Sequence, residues 1–264
     1  MSESQPKTLT AAASLLPLVI LVGIDAFAAY LNQQLQSHFI FAMFIAQLLC
    51  ALVFGKGEIC PGQRGRLVKA NLYTLIFWVS WLVWAGLKGN VLLGITALLG
   101  IAALYCLVQQ AVSESLRKAL LLATCGFAGA GSLIYLTQLF SIPSMLQYQP
   151  AAQALVGVIF TALALNISRN RLQGFIALLP LLMVLCLAIN AMLSSVLIFI
   201  AQSSEIVFHN EFALLLYFSL HLIIATILFT HVFKGWKLGY QTLIFLLFLA
   251  SSLPIWMEFV FILE

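Results

Sequence analysis

Long apolar runs separated by short polar or charged links repeat along the whole chain. Crossing a hydrocarbon core of about 30 Å takes roughly 17–25 apolar helical residues. Nine stretches meet that need: 10–31, 38–54, 71–88, 90–110, 119–140, 151–167, 174–201, 211–233 and 240–262. The segment 71–110 holds two of them, because as one helix at about 1.5 Å per residue it would be twice the core thickness. Lys88, Gly89 and Asn90 supply the turn between the pair. The stretch 174–201 is long for one upright crossing, so tilt or a bend at Pro180 is expected. The pattern predicts an all-α fold, a polytopic transmembrane helix bundle of about nine spans. It also predicts a single integral membrane domain over 1–264.

Composition agrees. The chain is 63% hydrophobic and 8% charged, which excludes a soluble globular domain and a disordered one. The lipid bilayer is therefore its principal partner, and no nucleic-acid partner is expected. The longest link, about 55–70, carries Gly55, Gly57, Gly62, Gly65, Arg64 and Arg66. It lacks the strand–loop–helix setting and the Gly-Lys-Ser/Thr ending of a phosphate-binding loop. It reads as a basic turn lying on anionic headgroups, and no nucleotide is expected to be bound by this chain itself.

Charge fixes an orientation. With the N-terminus in the cytoplasm, the inner segments hold Lys7, Lys56, Arg64, Arg66, Lys69, Arg117, Lys118, Arg169, Arg171, Lys234 and Lys237, eleven of the twelve basic residues. Only Lys88 falls outside. Lys and Arg concentrate in short cytoplasmic loops, so the expected topology is N-terminus inside and C-terminus outside, in a plasma membrane of the bacterial inner-membrane kind. Ala26, Phe27 and Ala28 resemble a signal-peptidase site, but the run before them is long enough to cross, and it is read as a retained first span.

Aromatic, sulfur and small residues add detail. Trp78, Trp81 and Trp84 are expected to face lipid as outer interfacial anchors, with Trp256 near the outer end and Trp236 and Tyr240 at the inner end of the last span. Cys50, Cys60, Cys106, Cys125 and Cys186 offer neither an outer disulfide framework nor a closed zinc site. In the fifth span, Thr124, Ala128 and Ser132 lie four apart, a face on which helix backbones approach closely. That span is expected to be a central packing helix.

The chemistry that remains lies in intramembrane polar residues. A carboxylate inside a span costs roughly 2.5–3.5 kcal/mol on insertion scales, so it calls for a reason. Asp25 lies about two-thirds across the first span, and Glu258 sits at similar depth in the last, on a face with Ser251 and Pro254. No Lys or Arg lies at that depth, which leaves protonation, interfacial water or a bound cation. His38, Glu205, His209 and Glu211 would form an acidic, imidazole-bearing outer mouth. His221 is mid-membrane, one turn after Tyr217, and is expected to be a neutral, hydrogen-bonded packing residue; Asn190 and Ser194 suit the same role. His231 points roughly 80° away from His221 on a straight helix, so one haem cannot use both. No cofactor is expected.

Motifs for enzymes are missing: there is no His-Glu-x-x-His, no Gly-x-Ser-x-Gly and no aspartate pair spaced for magnesium-dependent lipid chemistry. The sequence favours a non-enzyme. The leading reading is a small secondary transporter or permease for a cation or small solute, with Asp25, Glu258, His221 and Asn190 as substrate- or ion-binding residues. A non-catalytic membrane subunit or assembly factor, packed against partner membrane subunits, is the alternative, and an intramembrane enzyme comes third.

Overall fold

The computed structural model describes residues 7–32, 36–56, 59–109, 113–169, 172–203 and 208–260. Among them every regular element is a helix: α1 (Lys7–Asn32), α2 (Ile40–Lys56), α3 (Pro61–Leu72), α4 (Leu75–Lys88), α5 (Val91–Val108), α6 (Glu114–Thr137), α7 (Ile142–Tyr148), α8 (Pro150–Ile167), α9 (Gln173–Ser203), α10 (Glu211–Lys234) and α11 (Tyr240–Phe259). Taking α3 with α4 and α7 with α8 as single rods, eight are long and apolar enough to cross a membrane, and α2 is a shorter apolar helix of 17 residues. Each expected span therefore has its helix, and the protein is a polytopic helical bundle. Arg171, Glu205, Gly57 and Glu58 lie outside the described residues, as do the last two positions of the expected span 240–262.

Local chemistry sets the boundaries. Asn90, Ser113 and Asn210 cap the amides of Leu93, Leu116 and Ala213 at the starts of α5, α6 and α10. Gly89 and Gly235 adopt left-handed backbones with φ of 66° and 62° that close α4 and α10. Pro61 and Pro150 open α3 and α8, where the missing N–H costs nothing. Residues 173–203 form one continuous helix through Pro180, about 46 Å long at 1.5 Å per residue, rather than two spans.

Three expectations are corrected. The basic link is not a turn, because α3 is helical from Pro61, burying Gln63, Leu67, Ala70 and Asn71 on one face. Its polar side chains grip protein as well: Gln63 donates to the Arg169 carbonyl at 2.8 Å and Arg66 to the Ser168 carbonyl at 3.1 Å. Trp78 and Trp81 are buried and Trp84 is half-buried, so the indole stripe does not face lipid. Trp78 packs at a tilt against Phe44, ring centroids 4.7 Å apart, and lies on Gly100, where an added Cβ would fall 2.4 Å from the ring. The central helix is α8, packed against α2, α9 and α11, rather than α6. The small face of α6 is nonetheless buried at Thr124, Ala128 and Ser132, and its Gly131 lies against Phe44 of α2.

Candidate functional site

Asp25 lies on the face of α1 that also buries Ala28 and Ala29. It points at the start of α2, where the first amides have no acceptor within their own helix. Side chains meet three amides there, those of His38 and Phe39 just ahead of α2 and that of Phe41 in its first turn. Asp25 Oδ1 accepts the His38 N–H at 2.8 Å, Ser37 Oγ accepts that of Phe39 at 3.0 Å, and Gln153 Oε1 accepts that of Phe41 at 3.0 Å. The Ser37 hydroxyl donates in turn to Asp25 Oδ2. A carboxylate so placed is also favoured by the positive end of the α2 dipole. Its compensation comes from backbone polarity that no inventory of Lys and Arg reveals.

Residues 37–39, just ahead of α2, fold inward rather than lining a mouth. Ser37 and His38 are buried, and the imidazole stands between the two acids. His38 Nδ1 is 3.4 Å from Asp25 Oδ1, and Nε2 is 3.8 Å from Glu258 Oε2. These are ion-pair rather than hydrogen-bond separations, and neither ring nitrogen has a hydrogen-bond partner among the described residues. Tyr148, the last residue of α7, stacks on the ring at 4.8 Å. Behind it, Gln153 donates to the Tyr148 carbonyl at 2.7 Å and the Tyr135 hydroxyl at 2.8 Å, while that hydroxyl donates to the Ser37 carbonyl at 2.6 Å. The helices α1, α2, α6, α7, α8 and α11 thus meet at one buried polar cluster. Of the expected mouth, His38 is buried, while His209 and Glu211 are exposed.

A second cluster joins α9 and α10. Asn190 Nδ2 donates to the Tyr217 hydroxyl at 2.8 Å and pairs with His221 Nε2 at 2.9 Å, and Ser194 Oγ meets the same hydroxyl at 2.7 Å. His221 Nδ1 lies 2.9 Å from the Tyr217 carbonyl. A carbonyl only accepts, so Nδ1 carries the proton, and Nε2 accepts from the amide. The imidazole is then neutral with both nitrogens engaged, as a packing histidine should be.

Between the clusters lies the α7–α8 joint. Gln149 has φ of 42°, an uncommon conformation for a residue that is not glycine, and stranger still before a proline. Its Oε1 is 3.4 Å from Asn190 Nδ2, while the neighbouring Tyr148 faces His38. One break in a buried helical run thus touches both polar groups. Reading the sequence identified Asp25, Glu258, His221 and Asn190 but not Ser37, Tyr135, Tyr148, Gln149 or Gln153. The Tyr-Gln-Pro run at 148–150 was the one available signal of the break. Among the described residues no set of three or more His, Cys, Asp or Glu has the arrangement to hold a metal ion.

No solved structure matches the chain. An uncharacterised protein of Haemophilus influenzae is 41% identical over 267 residues, covering 98% of this chain and all of the relative. Residues 3–259 match a family described as an integral membrane domain, and the chain belongs to that family.

Proposed function

We propose that this protein is a small secondary transporter of a bacterial inner membrane, driven by protons, with Asp25, His38 and Glu258 as its ion site. The observation that carries the reading is one buried imidazole facing two intramembrane carboxylates, one at each ring nitrogen. Buried ionisable residues within spans mark ion and proton pathways more often than they serve packing alone. Two ionised acids and an imidazolium sum to one negative charge, and one further proton makes the group neutral. All three side chains can hold a proton, so the proton is the ion assigned to the site, and the charge of the site changes with occupancy.

Irregular backbone supports the same reading. Non-helical segments at membrane depth occur where they are buried in protein or line a cavity, and broken helices place binding sites in transporters. Here the inward-folded 36–39 link and the Gln149 joint flank the acids. Asn190 is touched by that joint and is hydrogen-bonded to His221, so the second cluster would respond to movement of the joint. The inner-membrane location rests on the helical spans and the placement of basic residues. The test is solute-induced collapse of a pH gradient imposed on vesicles holding the full chain. A transported solute dissipates the gradient with the wild type and not with Asp25→Asn at equal folded amount. Equal dissipation by both, or none for any solute, rejects the reading.

A further inference from the structure

At the opposite ends of α8 and α11 from the acids, a cleft of about 670 Å³ opens between α8, α9, α10 and the α10–α11 link. Its basic residues are Arg169, Lys237 and His231, the first two exposed and the third half-buried. Deeper walls are apolar, with Ala162, Ile176 and Leu243, and among the described residues no Asp or Glu lines it. From Ile167, the last residue of α8, to Ala162 is about 7.5 Å at 1.5 Å per residue, a depth that takes the first carbons of an acyl chain below an anionic head. The His231 Nδ1 is committed to the Ile227 carbonyl at 2.8 Å, which leaves Nε2 as its remaining polar atom. Trp236 also lines the cleft, with Lys234 4.5 Å from its ring, an aromatic–cation pairing suited to the headgroup zone.

We infer that this cleft binds an anionic amphiphile, a phosphate or carboxylate head held by Arg169, Lys237 and His231 with its acyl chain between α8, α9 and α11. Basic pockets between spans on the cytoplasmic side take anionic lipid heads, and the chain's basic residues place this end in the cytoplasm. The turn that presents Arg169 is anchored through main-chain carbonyls by Gln63 and Arg66. Neutralising the Arg169 side chain therefore leaves the turn in place. The inference stands independently of the transport reading.

The test is native mass spectrometry of the full chain in detergent, titrated with dioleoyl phosphatidylglycerol or dioleoyl phosphatidylcholine. Wild type should retain the anionic lipid in excess, and Arg169→Gln and Lys237→Gln should each lower that retention about five-fold, the ordinary worth of a cation near anionic lipid. Ala162→Trp, which keeps every charge and fills the apolar floor, should lower it as well. Equal retention of the two lipids by wild type, or undiminished phosphatidylglycerol binding in the charge variants, overturns the inference. Displacement of the lipid by inorganic phosphate, with full binding in Ala162→Trp, would assign the site to a free anion and overturn it too.

Discussion

Asp25 Oδ1 accepts the backbone N–H of His38 at 2.8 Å and stands 3.4 Å from Nδ1 of the same residue's ring. One oxygen therefore holds the backbone just ahead of α2 and faces the imidazole that leads to Glu258. Structure and charge are tied at that atom, and the two can be separated by substitution.

Asp25→Ala removes the acceptor of a buried N–H and of the Ser37 hydroxyl. An orphaned buried donor costs about 1–3 kcal/mol, so denaturant or thermal unfolding of the purified protein should show a loss of that order. Asp25→Asn keeps an acceptor oxygen and should lose less. Ala and wild type unfolding together would show that the capping role is empty.

Glycine replacements should rank by what the new methyl meets. At Gly157 a Cβ would lie 2.5 Å from the Ala42 carbonyl oxygen, so the α2 backbone must move; at Gly100 it meets the Trp78 ring at 2.4 Å. Overpacking costs about 1–3 kcal/mol, and Gly157→Ala should sit at or above the top of that range with Gly100→Ala below it. Gly126 has open space and should accept alanine without loss. Melting temperatures of the three variants in one detergent give the order.

The Asn190–His221 pair should show strong coupling. Asn190→Leu leaves His221 Nε2 without its donor, while the Tyr217 hydroxyl keeps Ser194, at a cost of about 1 kcal/mol within a membrane. Because removing both partners of a hydrogen bond is less harmful than removing one, Asn190→Leu with His221→Phe should cost less than the sum of the single changes. Additive unfolding energies in a double-mutant cycle would contradict the contact.

Orientation can be read at cysteine. Cys60 is exposed ahead of α3, and Cys50 and Cys106 are buried. A membrane-impermeant maleimide should label Cys60 in inverted vesicles and not in intact spheroplasts. Labelling in spheroplasts would reverse the assigned topology.

The span pattern was legible because a lipid solvent demands long apolar helices whatever the tertiary packing. Each of the nine runs has its helix. Less legible was α3, which is polar on average and buries Gln63 and Asn71 beside Leu67 and Ala70, so it does not stand out as an apolar run. The indole stripe misled for a related reason: Trp enrichment at interfaces is a statistical tendency, while the bare backbone of Gly100 makes room for Trp78 inside. The acids were visible singly, since any intramembrane carboxylate stands out. Their meeting through His38 was not, because it depends on the 36–39 link turning inward, which local sequence does not encode. The Gln149 joint escaped notice because glutamine carries no preference for a left-handed backbone.

The central claim is that the Asp25–His38–Glu258 group binds a proton inside the membrane. It is tested most directly by the transient current of the full chain, reconstituted on a solid-supported membrane, after a jump in external pH. Wild type should give a charge displacement above that of protein-free membrane, and Asp25→Asn with Glu258→Gln should abolish it while folded protein remains. A current unchanged in that double variant, or none in the wild type, would contradict the account.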